Sequence, residues 1–126
     1  MAEKKKKKIL VIDDENSFVS TMKIALEFQG YEILTAVNGQ EGIEVVREEK
    51  PDIVLLDIMM AKIDGFQVCR ILKFDKRYQE IPIIMVTAKG QEKDKTIGHQ
   101  VGADAYITKP FEMPALLEKI KSLLKE

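Results

Sequence analysis

Cysteine is nearly absent from this 126-residue sequence, and Cys69 alone can form neither an intramolecular disulfide nor a cysteine-based zinc site. Glycine and proline are also scarce, with seven and four residues, while 45% of the chain is hydrophobic and 33% is charged. This composition excludes collagen-like, low-complexity and wholly disordered chains, and the length suits one domain. Any metal must therefore be bound by oxygen ligands, and the cysteine usage predicts a reducing, cytoplasmic location.

Long hydrophobic runs are missing as well. Ile53–Leu56 is as long as any apolar run in the chain, whereas a membrane-spanning helix needs about 20 apolar residues. Five lysines at residues 4–8 precede no hydrophobic export signal. Without them, fifteen basic and twenty-one acidic residues give the remainder a formal charge of −6, which argues against nucleic-acid binding. We predict a basic, flexible N-terminus at residues 1–8 and a single domain at residues 9–126.

Short apolar runs alternate with longer stretches of helical periodicity along the chain. Three runs are apolar at every position, as in parallel strands covered on both faces, and they lie at residues 9–12, 53–56 and 83–86. Two weaker strands are predicted at about residues 31–36 and 105–108. This pattern predicts an α/β fold with a doubly wound five-stranded parallel sheet, five helices on its two faces and a ligand site at the carboxyl ends of the strands.

Helix boundaries and faces follow from capping residues and apolar spacing. Asn38 is expected to cap the second helix while the Glu41 side chain bonds back to it, and Pro114 is expected at the first position of the fifth helix. The fourth helix, at about residues 91–101, has Ile97 as one of its few large apolar residues, so we expect it to be loosely held. The first helix carries an apolar stripe made of Phe18, Met22, Ala25 and Leu26.

Polar residues directly follow the predicted strands, at the edge where a parallel sheet gathers them. They are Asp13, Asp14, Asp57, Thr87 and Lys109. Three carboxylates in one crevice raise one another's pKa values unless a cation lies among them. Oxygen donors without a nearby histidine favour Mg²⁺, or Mn²⁺, over zinc and copper. Asp57 would act as the nucleophile, with Lys109 and Thr87 holding phosphoryl oxygens, so the predicted reaction class is phosphoryl transfer.

The same residues form motifs that resemble the receiver domain of bacterial two-component response regulators over about residues 8–124. The motifs are the acidic pair at residues 13–14, the strand end at residues 55–60, Asp64-Gly65, Thr87-Ala88 and Lys109-Pro110-Phe111. Each motif is weak alone, and their order and context make the resemblance strong. It implies the flavodoxin-like strand order 2-1-3-4-5.

The resemblance also implies a role for each acidic residue. Asp57 would accept a phosphoryl group from the phosphohistidine of a sensor histidine kinase or a phosphotransfer protein. Mg²⁺ would be ligated by Asp14, Asp57 and the backbone carbonyl of Met59, with Asp13 acting through water. Lys109 would pair with Asp57 and then with the phosphate, and its bond to the following proline is cis in the family.

Other residues would control the switch and the lifetime of the phosphate. The family resemblance implies that Thr87 swings inward to bond a phosphoryl oxygen and that Tyr106 then turns inward behind it. Met59 and Lys89 occupy positions that affect how long the phosphate survives. One departure is Ala61, which stands where relatives commonly have proline and bears on the stiffness of its loop rather than on the chemistry.

Several interpretations remain open at this point. A receiver without an output domain would act on an unknown downstream protein, and the region of Ile97, Val101 and Tyr106 is the predicted contact face. The chain could be a stand-alone regulator, a phosphorelay shuttle or part of a longer protein. An aspartyl-phosphate hydrolase would need a second aspartate where Met59 stands, and a nucleotide or flavin binder would not place carboxylates in its phosphate loop. A pseudo-receiver that binds proteins without phosphorylation is the third alternative.

Overall fold

The computed structural model describes residues 5–126, which form ten elements that alternate between strand and helix. The strands are β1 (Lys8–Ile12), β2 (Glu32–Ala36), β3 (Ile53–Leu56), β4 (Ile83–Thr87) and β5 (Ala105–Thr108). The helices are α1 (Asn16–Phe28), α2 (Gly39–Glu49), α3 (Gly65–Lys73), α4 (Glu92–Gln100) and α5 (Met113–Leu124). Within these described residues, no helix combines the length and the apolar character that crossing a bilayer requires.

All strand pairs are parallel, and the sheet has the order β2-β1-β3-β4-β5. The α/β class, the five strands and the order 2-1-3-4-5 are therefore confirmed. β3 is the central strand, and β1 and β4 are its two neighbours. This arrangement places the carboxyl end of β3 in the middle of one edge of the sheet.

The sheet separates two hydrophobic clusters, which explains the unbroken apolar runs of its central strands at residues 9–12, 53–56 and 83–86. In β1, Ile9 and Val11 belong to one cluster, while Leu10 and Ile12 belong to the other, because successive residues of a strand point to opposite faces. Side chains of α1 and α5 complete the first cluster, and side chains of α2 and α3 complete the second. Both faces are thus covered, as the unbroken apolar runs predicted.

Two of the predicted helix caps differ in detail from the structure. Asn38 caps α2 by accepting the backbone N–H of Glu41 at 2.8 Å, but no return bond from the Glu41 side chain is formed in the described structure. Pro114 is the second residue of α5 rather than the first. A complete capping box instead begins α3, where Asp64 and Gln67 exchange bonds of 2.9 and 3.0 Å.

The predicted flexible N-terminus, residues 1–8, falls partly outside the described residues, since residues 1–4 are not among them. Lys8 belongs to β1, and its backbone N–H donates to Asp52 Oδ2 at 2.7 Å. The first strand therefore begins one residue before the predicted boundary of the domain.

A largely buried lysine fastens the end of α3 to the beginnings of β4 and β5. Lys73 Nζ donates to the carbonyl oxygens of Gln79 and Ile81 at 3.1 and 2.8 Å, and to Asp104 Oδ2 at 2.9 Å. The same Asp104 oxygen accepts the backbone N–H of Ile83 at 2.8 Å. One ammonium group on α3 thus satisfies three acceptors from two other segments of the chain.

Replacing this lysine, as Lys73→Met, is expected to lower the free energy of unfolding by about 2 kcal/mol. The substitution keeps the aliphatic stem but leaves two carbonyls and a carboxylate without their donor. Urea unfolding measures the difference. The control Lys95→Met removes a surface ion pair with Glu92, in which the charged atoms are 3.9 Å apart. We expect it to lower the free energy of unfolding by about 0.5 kcal/mol or less. Equal stability of the two variants would contradict the role assigned to Lys73.

Candidate functional site

The carboxyl ends of neighbouring strands form one polar edge of the sheet. Asp13 follows β1, Asp57 follows β3 and Thr87 ends β4, so Asp13 and Thr87 stand on the two sides of Asp57. Lys109 follows β5, one strand further out, and its long side chain reaches back toward β1. The parallel sheet therefore brings together residues that are far apart in the chain, as the sequence predicted.

The carboxylates of Asp13, Asp14 and Asp57 form a cluster in which one ligand oxygen from each lies within 4.8 Å of the others. Asp13 and Asp57 are only 1% and 7% exposed, whereas Asp14 is exposed. Backbone N–H groups orient the two buried carboxylates: Glu15 donates to Asp13 Oδ1 at 2.9 Å, and Met59 donates to Asp57 Oδ1 at 3.3 Å. These bonds fix the directions of the buried acids without neutralising their charges.

Lys109 supplies positive charge to this cluster. Its Nζ lies 2.7 Å from Asp13 Oδ2 and 3.9 Å from Asp57 Oδ2, although the resemblance implied Asp57 as its partner. Asp13 is the more deeply buried of the two acids, and a buried carboxylate has the greater need of a counter-charge. The Lys109–Pro110 peptide bond is cis, as the resemblance implied.

An aromatic ring covers another side of the Lys109 ammonium. Lys109 Nζ lies 3.8 Å from the centroid of the Phe18 ring, and Phe111 meets that ring edge to face with centroids 6.3 Å apart. The sequence assigned Phe18 only to the apolar stripe of α1. Nothing in its spacing could have indicated contact with a lysine at the far end of the chain.

Thr87 lies on the opposite side of Asp57 from Asp13 and is fully buried. Its Oγ1 accepts the backbone N–H of Lys89 at 3.4 Å, and its hydroxyl acts to lower the pKa of Asp57. The Lys89 side chain itself is exposed. The strand end thus presents a hydroxyl to Asp57 and leaves the lysine beyond it facing solvent.

The surroundings of Asp57 disfavour its charged form. Burial is the main cause that raises the pKa of Asp57 above its ordinary value, and repulsion by Asp13 raises it further. The Thr87 hydroxyl, Lys109 and the Met59 N–H act in the opposite direction on this pKa. The net effect raises the pKa of Asp57, and a cation in the cluster would oppose this shift by stabilising the charged carboxylate that acts as the nucleophile.

Tyr106 connects β5 to the loop between β4 and α4. Its hydroxyl donates to the backbone carbonyl of Lys89, and its ring lies against Gly98, where an added Cβ would stand 3.1 Å from the ring. Burial, followed by the charges of Asp94 and Asp57, raises the pKa of Tyr106 to about 12, so the hydroxyl remains a donor at neutral pH. Asp94 is a buried acid in the polar helix α4, and no pattern in the sequence indicates its burial.

The loop after Asp57 is anchored through Gly65. The Gly65 N–H donates to the Ile58 carbonyl at 2.9 Å, and a Cβ on Gly65 would stand 2.2 Å from the Asp57 carbonyl oxygen. Glycine is required here because there is no space for a side chain. Ala61 lies within this loop and is exposed, and the next residue, Lys62, has a left-handed φ of 67°.

The donor set fits a hard divalent cation. Three carboxylates and one ammonium leave a net formal charge of −2 around a space bounded by oxygen ligands. Mg²⁺ and Mn²⁺ prefer carboxylate, carbonyl and water oxygens. The residues present therefore form an acidic pocket compatible with Mg²⁺.

Comparison with known proteins identifies the family. The model of the response regulator receiver domain matches residues 9–121. The alkaline phosphatase synthesis transcriptional regulatory protein PhoP of Bacillus subtilis (strain 168) is 44% identical over 119 residues, which cover 94% of this chain and 49% of that protein. The chain thus spans about half the length of the curated relatives it matches.

Solved structures show the same likeness. A putative response regulator from Chloroflexus aurantiacus has a TM-score of 0.92 and 30% identity, and the match covers 97% of this chain and 100% of that one. The response regulator TrrA of Thermotoga maritima, solved in complex with Mg²⁺ and BeF, has a TM-score of 0.83 and 36% identity over 93% of this chain and 98% of that one.

Fold, acidic pocket and family match agree with one another. Receiver domains bind Mg²⁺ at acidic residues and interact with histidine kinases or phosphotransfer proteins, within a signalling family rather than one of classical enzymes. This chain belongs to that family: it is a receiver domain of two-component response regulators.

Proposed function

We propose that this receiver accepts a phosphoryl group on Asp57 from the phosphohistidine of a sensor histidine kinase or of a phosphotransfer protein. The observation that carries the proposal is the set of groups around one buried carboxylate. Asp57 has acids on one side, the Thr87 hydroxyl on the other, and the Lys109 ammonium 3.9 Å away. The hydroxyl and the ammonium can stabilise negative charge on the phosphoryl oxygens, and the acids can hold a cation beside them.

In the proposed transfer, one Asp57 oxygen forms a bond to phosphorus while the phosphorus–nitrogen bond of the donor breaks. The electron pair of that bond stays on the imidazole nitrogen. Lys109 shifts from Asp13 toward a phosphoryl oxygen, and the Thr87 hydroxyl donates to another. The new acyl phosphate adds negative charge to a buried site, which these two donors offset.

Asp14, Asp57 and the backbone carbonyl of Met59 would hold Mg²⁺, or Mn²⁺, and Asp13 would act through water. When bound, the ion reduces repulsion between the carboxylates and the incoming phosphate. Asp13 then has two tasks: it receives the Lys109 ammonium before phosphorylation and supports the ion throughout. Its deep burial and the Glu15 N–H bond suit a fixed group of this kind.

The switch would pass from Thr87 to the face formed by α4 and β5. Movement of Thr87 toward the phosphate would change the backbone at Lys89, whose carbonyl holds the Tyr106 hydroxyl. Ile97 on this face is 40% exposed and Val101 is half-buried, which suits contact with a downstream protein. That partner is defined here only as a protein that distinguishes the two positions of this face.

Two exposed side chains flank the phosphate position and are proposed to set its lifetime. Met59 is 53% exposed and stands two residues after Asp57, where it can shield the acyl phosphate from water. Lys89 stands two residues after Thr87 and can hold a phosphate oxygen or a partner's charge. We further propose that the domain catalyses only its own phosphorylation and dephosphorylation, and that it works in the cytoplasm.

The proposal is tested by incubating the protein with acetyl phosphate and Mg²⁺ and then measuring its intact mass and mapping the modified peptide. We expect one phosphoryl group per chain, located on Asp57, and no modification in the presence of EDTA. Asp57→Asn should abolish the label, because an amide cannot serve as the nucleophile. Asp75→Asn, at a half-buried aspartate beyond the end of α3 that pairs with Arg77, is the matched control and should be labelled normally.

Other outcomes would point elsewhere. Continuous release of many equivalents of phosphate from varied phosphate esters would indicate a hydrolase. A wild-type protein that binds Mg²⁺ but takes no label would indicate a pseudo-receiver, and a label that persists in Asp57→Asn would assign the acceptor to another residue.

A further inference from the structure

We propose that Phe18 is a positioning residue for Lys109: its ring face holds the ammonium between Asp13 and Asp57 and keeps it ready to reach a phosphoryl oxygen. The proposal rests on the phosphoacceptor function of Asp57 and adds a residue to it. In this role Phe18 would act through the ammonium of Lys109, which lies over its ring.

The geometry of the ammonium carries the inference. Lys109 Nζ lies 2.7 Å from Asp13 Oδ2, 3.9 Å from Asp57 Oδ2 and 3.8 Å from the centroid of the Phe18 ring. A cation within about 6 Å of a ring centroid is attracted by the negative face of the ring, and more strongly when water is excluded. The Lys109 side chain is only 18% exposed, so the ring occupies a direction in which water would otherwise solvate the ammonium.

The ring is itself fixed in place. Phe18 is the third residue of α1, the helix that begins two residues after Asp14, so the acids and the ring belong to one continuous segment. Phe111 meets the Phe18 ring edge to face, with an interplanar angle of 81°. Such a pair resists rotation of the ring, and the ring face therefore stays turned toward the lysine.

Attraction to a ring face suits a lysine that has to move. A hydrogen bond to Asp13 is directional and breaks when the ammonium shifts, whereas attraction to a ring falls off gradually over short displacements. The ammonium can thus leave Asp13 for a phosphoryl oxygen while the ring still attracts it. If the Lys109 side chain were flexible, it would have to become ordered when it binds a phosphoryl oxygen. The side-chain entropy lost in that step would lower its affinity for the phosphoryl group.

Simple packing is the competing explanation, because Phe18 also borders the first hydrophobic cluster. A cavity of about 530 Å³ lies beside the ring, lined by Thr21, Met22, Ala88 and Met113 among others. On the side of this cavity, therefore, the ring and the lysine border open space. The two explanations differ in whether the electronic character of the ring matters at constant shape.

Stepwise fluorination of the Phe18 ring distinguishes attraction of the ammonium to the ring from simple packing. Phenylalanine with one, two or three ring fluorines is incorporated at position 18 by nonsense suppression, and beryllofluoride affinity in excess Mg²⁺ is measured by calorimetry. We expect affinity to fall progressively, by about threefold to tenfold across the series, while the melting temperature and the affinity for Mg²⁺ alone stay unchanged. Phe18→Tyr, which keeps an electron-rich ring, should retain the wild-type affinity.

The same fluorinated series at Phe28 is the matched control, because this residue is on the same helix and is 87% exposed; its affinities should be constant. A second readout needs no metal: the Lys109 Cε protons should resonate upfield through the ring current of Phe18 and lose this shift in Phe18→Leu. A flat series at position 18, or unshifted Lys109 protons, would overturn the positioning role alone. A wild-type protein that takes neither beryllofluoride nor a phosphoryl group would overturn the proposed function and this inference together.

Discussion

Gly65→Ala is expected to lower the free energy of unfolding by about 3 kcal/mol and to disable Asp57 in the molecules that remain folded. The added methyl would lie 2.2 Å from the Asp57 carbonyl oxygen and 2.7 Å from Ile58 Cα. Both are backbone atoms, so no side-chain rotation can relieve the collision, and overpacking of this kind costs about 1–3 kcal/mol or more. Either α3 or the end of β3 must move, and both determine where the Asp57 carboxylate points.

Denaturant unfolding and acetyl phosphate labelling measure the two effects separately. Gly98→Ala is the matched control, since its Cβ would meet side-chain rather than backbone atoms, the Tyr106 ring at 3.1 Å and Phe66 Cε1 at 3.8 Å, and alanine is favoured over glycine inside a helix by about 1 kcal/mol. We expect this control to be as stable as the wild type or slightly more stable. Normal stability and normal labelling of Gly65→Ala would show that the contact between α3 and Asp57 is not a constraint on the site.

The sequence predicted the layout of the site because the layout depends on strand ends. A central strand of a parallel sheet is covered on both faces, so β1, β3 and β4 each contain an unbroken run of four apolar residues, and the ends of these runs are marked by Asp13, Asp57 and Thr87. The geometry of a parallel sheet then fixes which side chains meet. The strand order itself came from the family resemblance, since local patterns do not determine which strands are neighbours.

The partners of long side chains could not be predicted in the same way. Lys109 lies closest to Asp13 rather than to Asp57, and Lys73 bonds to Asp104 and to two carbonyls. These contacts depend on rotamers and on small differences in burial, which leave no periodic signal. Asp94 is a further case, because an acid in a polar helix such as α4 gives every local indication of being exposed, yet it is buried.

Lys109→Met is expected to change metal binding and phosphoryl transfer in opposite directions. Methionine keeps much of the aliphatic stem but removes the ammonium 2.7 Å from Asp13, whose carboxylate is 1% exposed. In EDTA the free energy of unfolding should fall by about 3 kcal/mol, because an unpaired buried carboxylate remains. Mg²⁺ should bind about tenfold more tightly, since a competing positive charge is gone, and should restore much of the lost stability.

Phosphorylation by acetyl phosphate should nevertheless slow by about a hundredfold, because the donor that would stabilise charge on the phosphoryl oxygens is missing. Calorimetry with Mg²⁺, thermal unfolding with and without EDTA, and the labelling rate measure the three effects on one variant. Lys95→Met removes a lysine of the same charge on α4 and should leave all three near their wild-type values. Weaker Mg²⁺ binding by Lys109→Met would mean that the ammonium supports the cation rather than competing with it, and an unchanged labelling rate would remove Lys109 from the transfer step.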